Sequence, residues 1–313
     1  MSINLTLPRT ATSLPDPHRM HHLRLKMAYL LAIAATLTLL VYGFGYYWSA
    51  AEQRALSSRH AYLKPSGTIG LRLGMFGVLL FLFIYLYPLR KKWAWLGRQG
   101  NSKRWLDIHV LLGLVTPVII TFHSAFKFSG IAGVAYWIML VVVLSGVVGR
   151  YIYAQIPRSI NSAELSLKEA QEESQRRATQ LKNTGILSSR DLDGLLGMPD
   201  VRQVQSISVI GALWWMLLFD LGFPFRVWRL RQKMLWSKRK WWSLVGFGRG
   251  QNPVLEGAIS MAREQTLLTK KILFLSKSHR MFHLWHIIHR PFSYSFAVLA
   301  LIHVILMLML GYY

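Results

Sequence analysis

The sequence predicts an all-α integral membrane protein. It reads as a helical bundle of about five spans, or six on an alternative reading, with amphipathic helices on the cytoplasmic side. Three observations carry that fold class. Several runs of roughly twenty residues are apolar enough to cross a hydrocarbon core, in a chain that is 53% hydrophobic. The 37 Lys and Arg residues, against 13 Asp and Glu, concentrate between those runs, as cytoplasmic loops do. Helical rather than strand structure follows because the runs are continuous, and a spanning helix satisfies its own backbone.

The elements follow in chain order. Residues 1–27 are polar and basic. The apolar run 27–48 lies too far from the start, and is too long, for an ordinary cleaved signal peptide; it reads as span one. Span two is 69–87, ended by Pro88. The next loop holds Arg90, Lys91, Lys92, Arg98, Lys103 and Arg104. The positive-inside rule places that loop and the N-terminus in the cytoplasm. Span three, 105–126, leaves the cytoplasm, and span four, 131–153, returns as the second half of a helical hairpin.

Residues 155–205 differ in kind, with seven of the 13 acids lying between Asn161 and Asp200. Asn161 before Glu164, and Ser188 before Asp191, resemble helix-starting caps. Stretch 207–223 is mostly apolar but contains Asp220 and ends in Gly222-Phe223-Pro224. Stretch 226–251 carries eight basic residues and no acid, with Trp228, Trp236, Trp241 and Trp242 interleaved. Basic residues with tryptophans suit a headgroup zone. If 207–223 spanned, this basic stretch would face outside. The favoured reading is therefore a surface or half-inserted helix, with a second amphipathic segment at 267–286. The last span is 289–313. The chain thus divides into 1–104, a tail and two spans; 105–154, a hairpin; 155–288, a cytoplasmic or membrane-surface insertion; and 289–313.

Two of the spans carry paired histidines. His109 and His123 are fourteen residues apart, and so are His289 and His303. Fourteen residues rise about 21 Å, close to four turns, so each pair shares one face, with a ring near each side of a core about 30 Å thick. A buried imidazole needs partners for its ring nitrogens. Two facing helices of this kind match two stacked bis-histidine haem irons, each ring keeping its other nitrogen for a hydrogen bond. Zinc fits poorly, because its ligands would have to converge. With five spans the two helices are parallel, and His109 pairs with His289, His123 with His303. With six they are antiparallel and the partners exchange.

Gly113, one turn after His109, leaves room for a flat macrocycle, as do Gly146 and Gly149 in span four. Arg150, Arg104, Arg290 and, at the other end, Lys127 are placed to meet haem propionates. Each also suits a snorkelling boundary residue. His279, His283 and His286 recur at helical spacing, which suits the polar face of a surface helix or a proton relay. The absence of cysteine excludes disulfides, covalent c-type haem and iron–sulfur clusters held by this chain's own thiolates. There is no Rossmann or P-loop fingerprint and no nucleic-acid-binding module.

On these residues the chain resembles the di-haem membrane cytochrome b group: the cytochrome b of quinol–cytochrome complexes and the b-type membrane subunits of respiratory dehydrogenases. The resemblance rests on the two His-x13-His helices. Further support comes from Gly113, Ser145-Gly146-Val147-Val148-Gly149-Arg150-Tyr151 and His286-Ile287-Ile288-His289-Arg290-Pro291. It covers less than a third of the chain, and no Pro-Glu-Trp-type quinol-site motif is present. It implies two haem b groups in a bacterial or organellar inner-membrane subunit, with a bacterial inner membrane favoured. Such a subunit passes electrons between quinone and a partner carrying an iron–sulfur cluster, a flavin or a c-type haem. The same pattern suits two other readings: a self-contained transmembrane reductase of the ferric reductase or cytochrome b561 kind, and a haem-free anchor or proton-relay protein.

Overall fold

The computed structural model describes residues 17–156, 207–236 and 253–312, with residues 172, 176, 179, 204 and 206 besides. The expected caps at Asn161 and Ser188 and much of the basic, tryptophan-rich stretch lie outside the described residues. Those described are helical, without a strand. In order they form α1 (Pro17–Trp48), α2 (Ala51–Arg54), α3 (His60–Leu63), α4 (Thr68–Arg90), α5 (Ala94–Gly97), α6 (Ser102–His123), α7 (Gly130–Gln155), α8 (Val209–Trp236), α9 (Pro253–Leu273) and α10 (Leu275–Met309). Among the described residues, six segments are long and apolar enough to cross a membrane: Arg19–Trp48, His60–Arg90, Ser102–His123, Gly130–Gln155, Val209–Lys233 and Lys277–Met309.

Three expectations about element limits change. Span two does not end at Pro88, because α4 continues through it to Arg90. Stretch 207–223 does not stop at Gly222-Phe223-Pro224. α8 runs through Pro224, making a sixth helix of spanning length where five were favoured. Proline is tolerated in apolar helices when neighbouring groups re-satisfy the carbonyls its ring leaves open. The carbonyl that Pro224 leaves without its amide donor is that of Asp220; five residues before the proline, the Arg226 guanidinium donates to the Phe219 carbonyl at 3.2 Å and lies 3.9 Å from the Phe219 ring centroid. The last span likewise begins well before His289. α10 starts at Leu275 and continues through Pro291, so His279, His283 and His286 ride on the helix that carries His289.

The chain forms two compact units: residues 1–147 with 289–313, and residues 148–288. In the first, α4 packs along α6. Gly74 and Gly77 of α4 make that contact close: a methyl group at Gly77 would stand 2.5 Å from Ile120 Cδ1. Small residues let apolar helices approach in this way. The core beside them is Tyr46, Tyr47, Leu63, Phe122 and Ala125. α6 begins at Asn101, whose side chain accepts from the Lys103 amide at 3.0 Å, a normal N-cap. It ends in a tight turn with Ala125 and Phe126 at φ 48° and 61°. Arg54 secures the turn by donating to the Ala125 carbonyl at 2.6 Å. At its other end, α6 meets α1 through His21 and Asp107, 3.3 Å apart.

The direction of α10 within this unit is fixed by α4. Tyr85 donates to the Ser293 carbonyl at 2.6 Å, and Phe81 packs on Phe296 with ring centroids 4.6 Å apart. The residue numbers fall along α4 as they rise along α10, so the two helices are antiparallel. α6 is antiparallel to α4 as well, since His109 meets Ile84 and His123 meets Gly70. α6 and the 289–309 part of α10 are therefore parallel. α7 opposes both: Tyr136 bonds Thr121 at 2.8 Å, and Ser145 bonds His289 at 2.8 Å.

In the second unit, Ile152, Val204, Ala212, Met216, Phe274 and Met281 form the core. Trp215 stacks on Phe219 and Phe274 at 5.0 and 5.2 Å. Gly149 is filled by Trp285: a methyl group there would come within 2.1 Å of the indole. The expectation that Gly149 makes room for a porphyrin is thus replaced by a helix–aromatic contact.

Candidate functional site

The site consists of four imidazoles and the acceptors that hold them. All four lie in the first unit, and each is partly buried. His109 Nδ1 is 3.1 Å from the Ile84 carbonyl. His123 Nδ1 is 2.8 Å from the Gly70 carbonyl. A carbonyl only accepts, so each Nδ1 must carry the proton and donate. In the neutral ring that leaves the lone pair on Nε2.

His289 reaches the same state through a hydroxyl. Ser145 Oγ donates to the Val142 carbonyl at 2.7 Å and lies 2.8 Å from His289 Nδ1. With its own proton so used, the serine oxygen accepts from Nδ1–H, and Nε2 of His289 again holds the lone pair. A ring nitrogen with a lone pair, oriented by a hydrogen bond on the other nitrogen, is the tautomer that metal ligation by an imidazole requires.

Register joins the rings in two levels. His303 follows His289 by the same fourteen residues that separate His123 from His109, and the two helices are parallel, so His303 and His123 share a level. At the other level Tyr85, next to Ile84, meets Ser293, one turn from His289. The levels therefore comprise His109 with His289, and His123 with His303. Gly113 lies on α6 between them. A methyl group built there meets nothing within 4 Å, so open space adjoins the helix where a flat group is expected. Gly146 faces the His289 ring, 3.6 Å from a methyl group at that position.

The His109 level is strongly cationic. The Tyr87 ring is 5.1 Å from His109, and Lys91 Nζ is 5.3 Å from Tyr87. Burial, and next the Arg290 charge, hold the Lys91 ammonium below its ordinary pKa. Arg104, half-buried, begins the same helix as His109, and Lys127 is exposed after the other end. Arg150, half-buried on α7, falls in the second unit.

His279 and His283 are exposed on α10, while His286 Nδ1 is 3.0 Å from the Phe282 carbonyl one turn back. Among the described residues, no group of three or more His, Cys, Asp or Glu side chains converges as a metal site. Bis-histidine ligation of a haem would draw on two imidazoles rather than three.

Sequence reasoning missed the contribution of α4, which has no histidine yet supplies the acceptors for both rings of α6. Its signals were Gly70, Gly74 and Gly77, spaced for close helix contact, and Pro88, four residues after Ile84. Ser145 was also missed, though it opens a segment singled out for its glycines. Comparison of the chain with protein-family models, with curated proteins and with solved structures gave no match.

Proposed function

We propose that the chain is a di-haem b-type membrane subunit that passes electrons across a membrane between quinone and a redox partner. The observation that carries the reading is the set of hydrogen-bond partners that the Nδ1 atoms of the histidines meet. Two carbonyls and a serine hydroxyl leave Nε2 as the ligand nitrogen on three rings at two levels. His109 and His289 would hold one haem b, His123 and His303 the other. Each bound haem supplies a one-electron iron couple.

The protein's own residues orient the rings, exclude water with apolar helices and place charge. Lys91 and Arg290 would hold the propionates at the His109 level. A carboxylate there offsets both the burial of Lys91 and its repulsion from Arg290. Gly113 leaves the space beside the macrocycle.

Parallel α6 and α10 require an even number of crossings between α7 and α10. We read α8 accordingly as lying on the inner side, with α1, α4, α6, α7 and α10 crossing. The N-terminus and residues 155–288 then face the cytoplasm of a bacterial inner membrane, where the insertion offers a docking surface to a partner subunit.

The primary test is haem stoichiometry on protein purified after expression with haem supplied, by pyridine haemochrome assay. Two b haems per chain are expected. A folded, colourless protein refutes the reading and leaves a haem-free proton-relay or anchor role.

Gly74→Ala should act at one level only. The added methyl group would sit 2.6 Å from His123 Cε1 and 2.8 Å from its Nδ1. The ring cannot yield without leaving the Gly70 carbonyl. About half the haem should be lost, and retention of both haems with unchanged spectra would contradict the assigned contact.

A further inference from the structure

We infer that Pro88 is a positioning residue for His109, fixing its proton on Nδ1 by removing a competing donor from the helix beside it. In a regular α-helix the carbonyl of residue 84 accepts from the amide of residue 88. α4 is helical through that point, but proline has no amide hydrogen. The Ile84 carbonyl therefore lacks its α-helical partner in an apolar setting, where an unmet acceptor is costly. His109 Nδ1 lies 3.1 Å from it. The proline and the histidine solve each other's deficit, and Nε2 is left as the nitrogen with the lone pair.

The other level reaches the same result by a different route. The Gly70 carbonyl keeps its ordinary donor, the amide of Gly74. His123 reaches that carbonyl because Gly74 has no side chain to block the ring. One level subtracts a donor and the other subtracts a methyl group. His123 is thus an internal control for any change at Pro88.

The ligand role of Nε2 rests on the di-haem reading, whereas the proton position does not. The test therefore uses Pro88→Ala in two states of the full chain. In haem-free protein labelled with 15N-histidine, wild-type His109 should hold its proton on Nδ1. The variant, with a new amide competing for Ile84, should shift a measurable fraction to the Nε2–H tautomer and leave His123 unchanged. In haem-loaded protein, weaker donation from Nδ1–H makes the ligand less electron-rich. One haem midpoint should move positive while the other stays.

Wild-type His109 protonated on Nε2 overturns the inference without recourse to any variant. So does an unchanged His109 tautomer in Pro88→Ala, or an equal shift of both midpoints, which would reflect straightening of the helix. Absence of haem removes only the midpoint arm and counts against the di-haem reading, while the tautomer measurement still decides the role of Pro88.

Discussion

Single alanine replacements of the four histidines are expected to fall into two matched pairs. His109→Ala and His289→Ala should each leave one haem with a common spectrum and midpoint. His123→Ala and His303→Ala should each leave the other. Each replacement should halve the reduced b-type absorbance. The matching follows from helix direction. α4 is antiparallel to α6 through Ile84–His109 and Gly70–His123, and to α10 through Tyr85–Ser293 and Phe81–Phe296. Two helices antiparallel to the same third helix are parallel, and equal fourteen-residue spacings then align the rings level by level. If His109→Ala instead matched His303→Ala, α10 would run against α6. A single crossing between α7 and α10 would be required, and α8 would supply it.

That outcome also measures how far the sequence could be read. Long apolar runs and cation-rich loops made the helices and their order legible, because lipid leaves a chain few ways to satisfy its backbone. The four histidines were legible because identical spacing in two spans has few structural causes. Helix limits near proline were not. Pro88 and Pro224 suggest stops, yet α4 and α8 pass through both. What decides such cases is whether nearby groups meet the freed carbonyls, as His109 does for Ile84 below Pro88, and that is tertiary information. The acceptors for the rings were hidden for a related reason: a backbone carbonyl has no letter in the sequence. Only its consequences do, in Pro88 opposite His109 and Gly74 opposite His123.

The largest expected loss of stability in the second unit comes from Asp220→Ala. Lys270 is almost fully buried, with 1% of its side chain exposed against 32% for Asp220. Its ammonium lies 2.6 Å from both Asp220 oxygens, and the Tyr151 hydroxyl donates to the same carboxylate at 2.6 Å. Removing the carboxylate strands a buried cation, which costs roughly 3–5 kcal/mol against a typical domain total of about 5–15 kcal/mol. The reverse change is milder. Lys270→Ala leaves an anion that is one-third accessible and still accepts from Tyr151, and should cost about 1–3 kcal/mol. Asp220→Leu with Lys270→Met should recover most of the loss, because a buried pair replaced by apolar groups is often neutral. Denaturant titration in detergent, followed by circular dichroism, orders the three. A Lys270→Ala variant less stable than Asp220→Ala would contradict the assigned burial. A double variant as unstable as Asp220→Ala would show that the pair contributes more than the neutralisation of a stranded charge. The carboxylate on α8 would then join α7 to α9 through hydrogen bonds that apolar side chains do not replace.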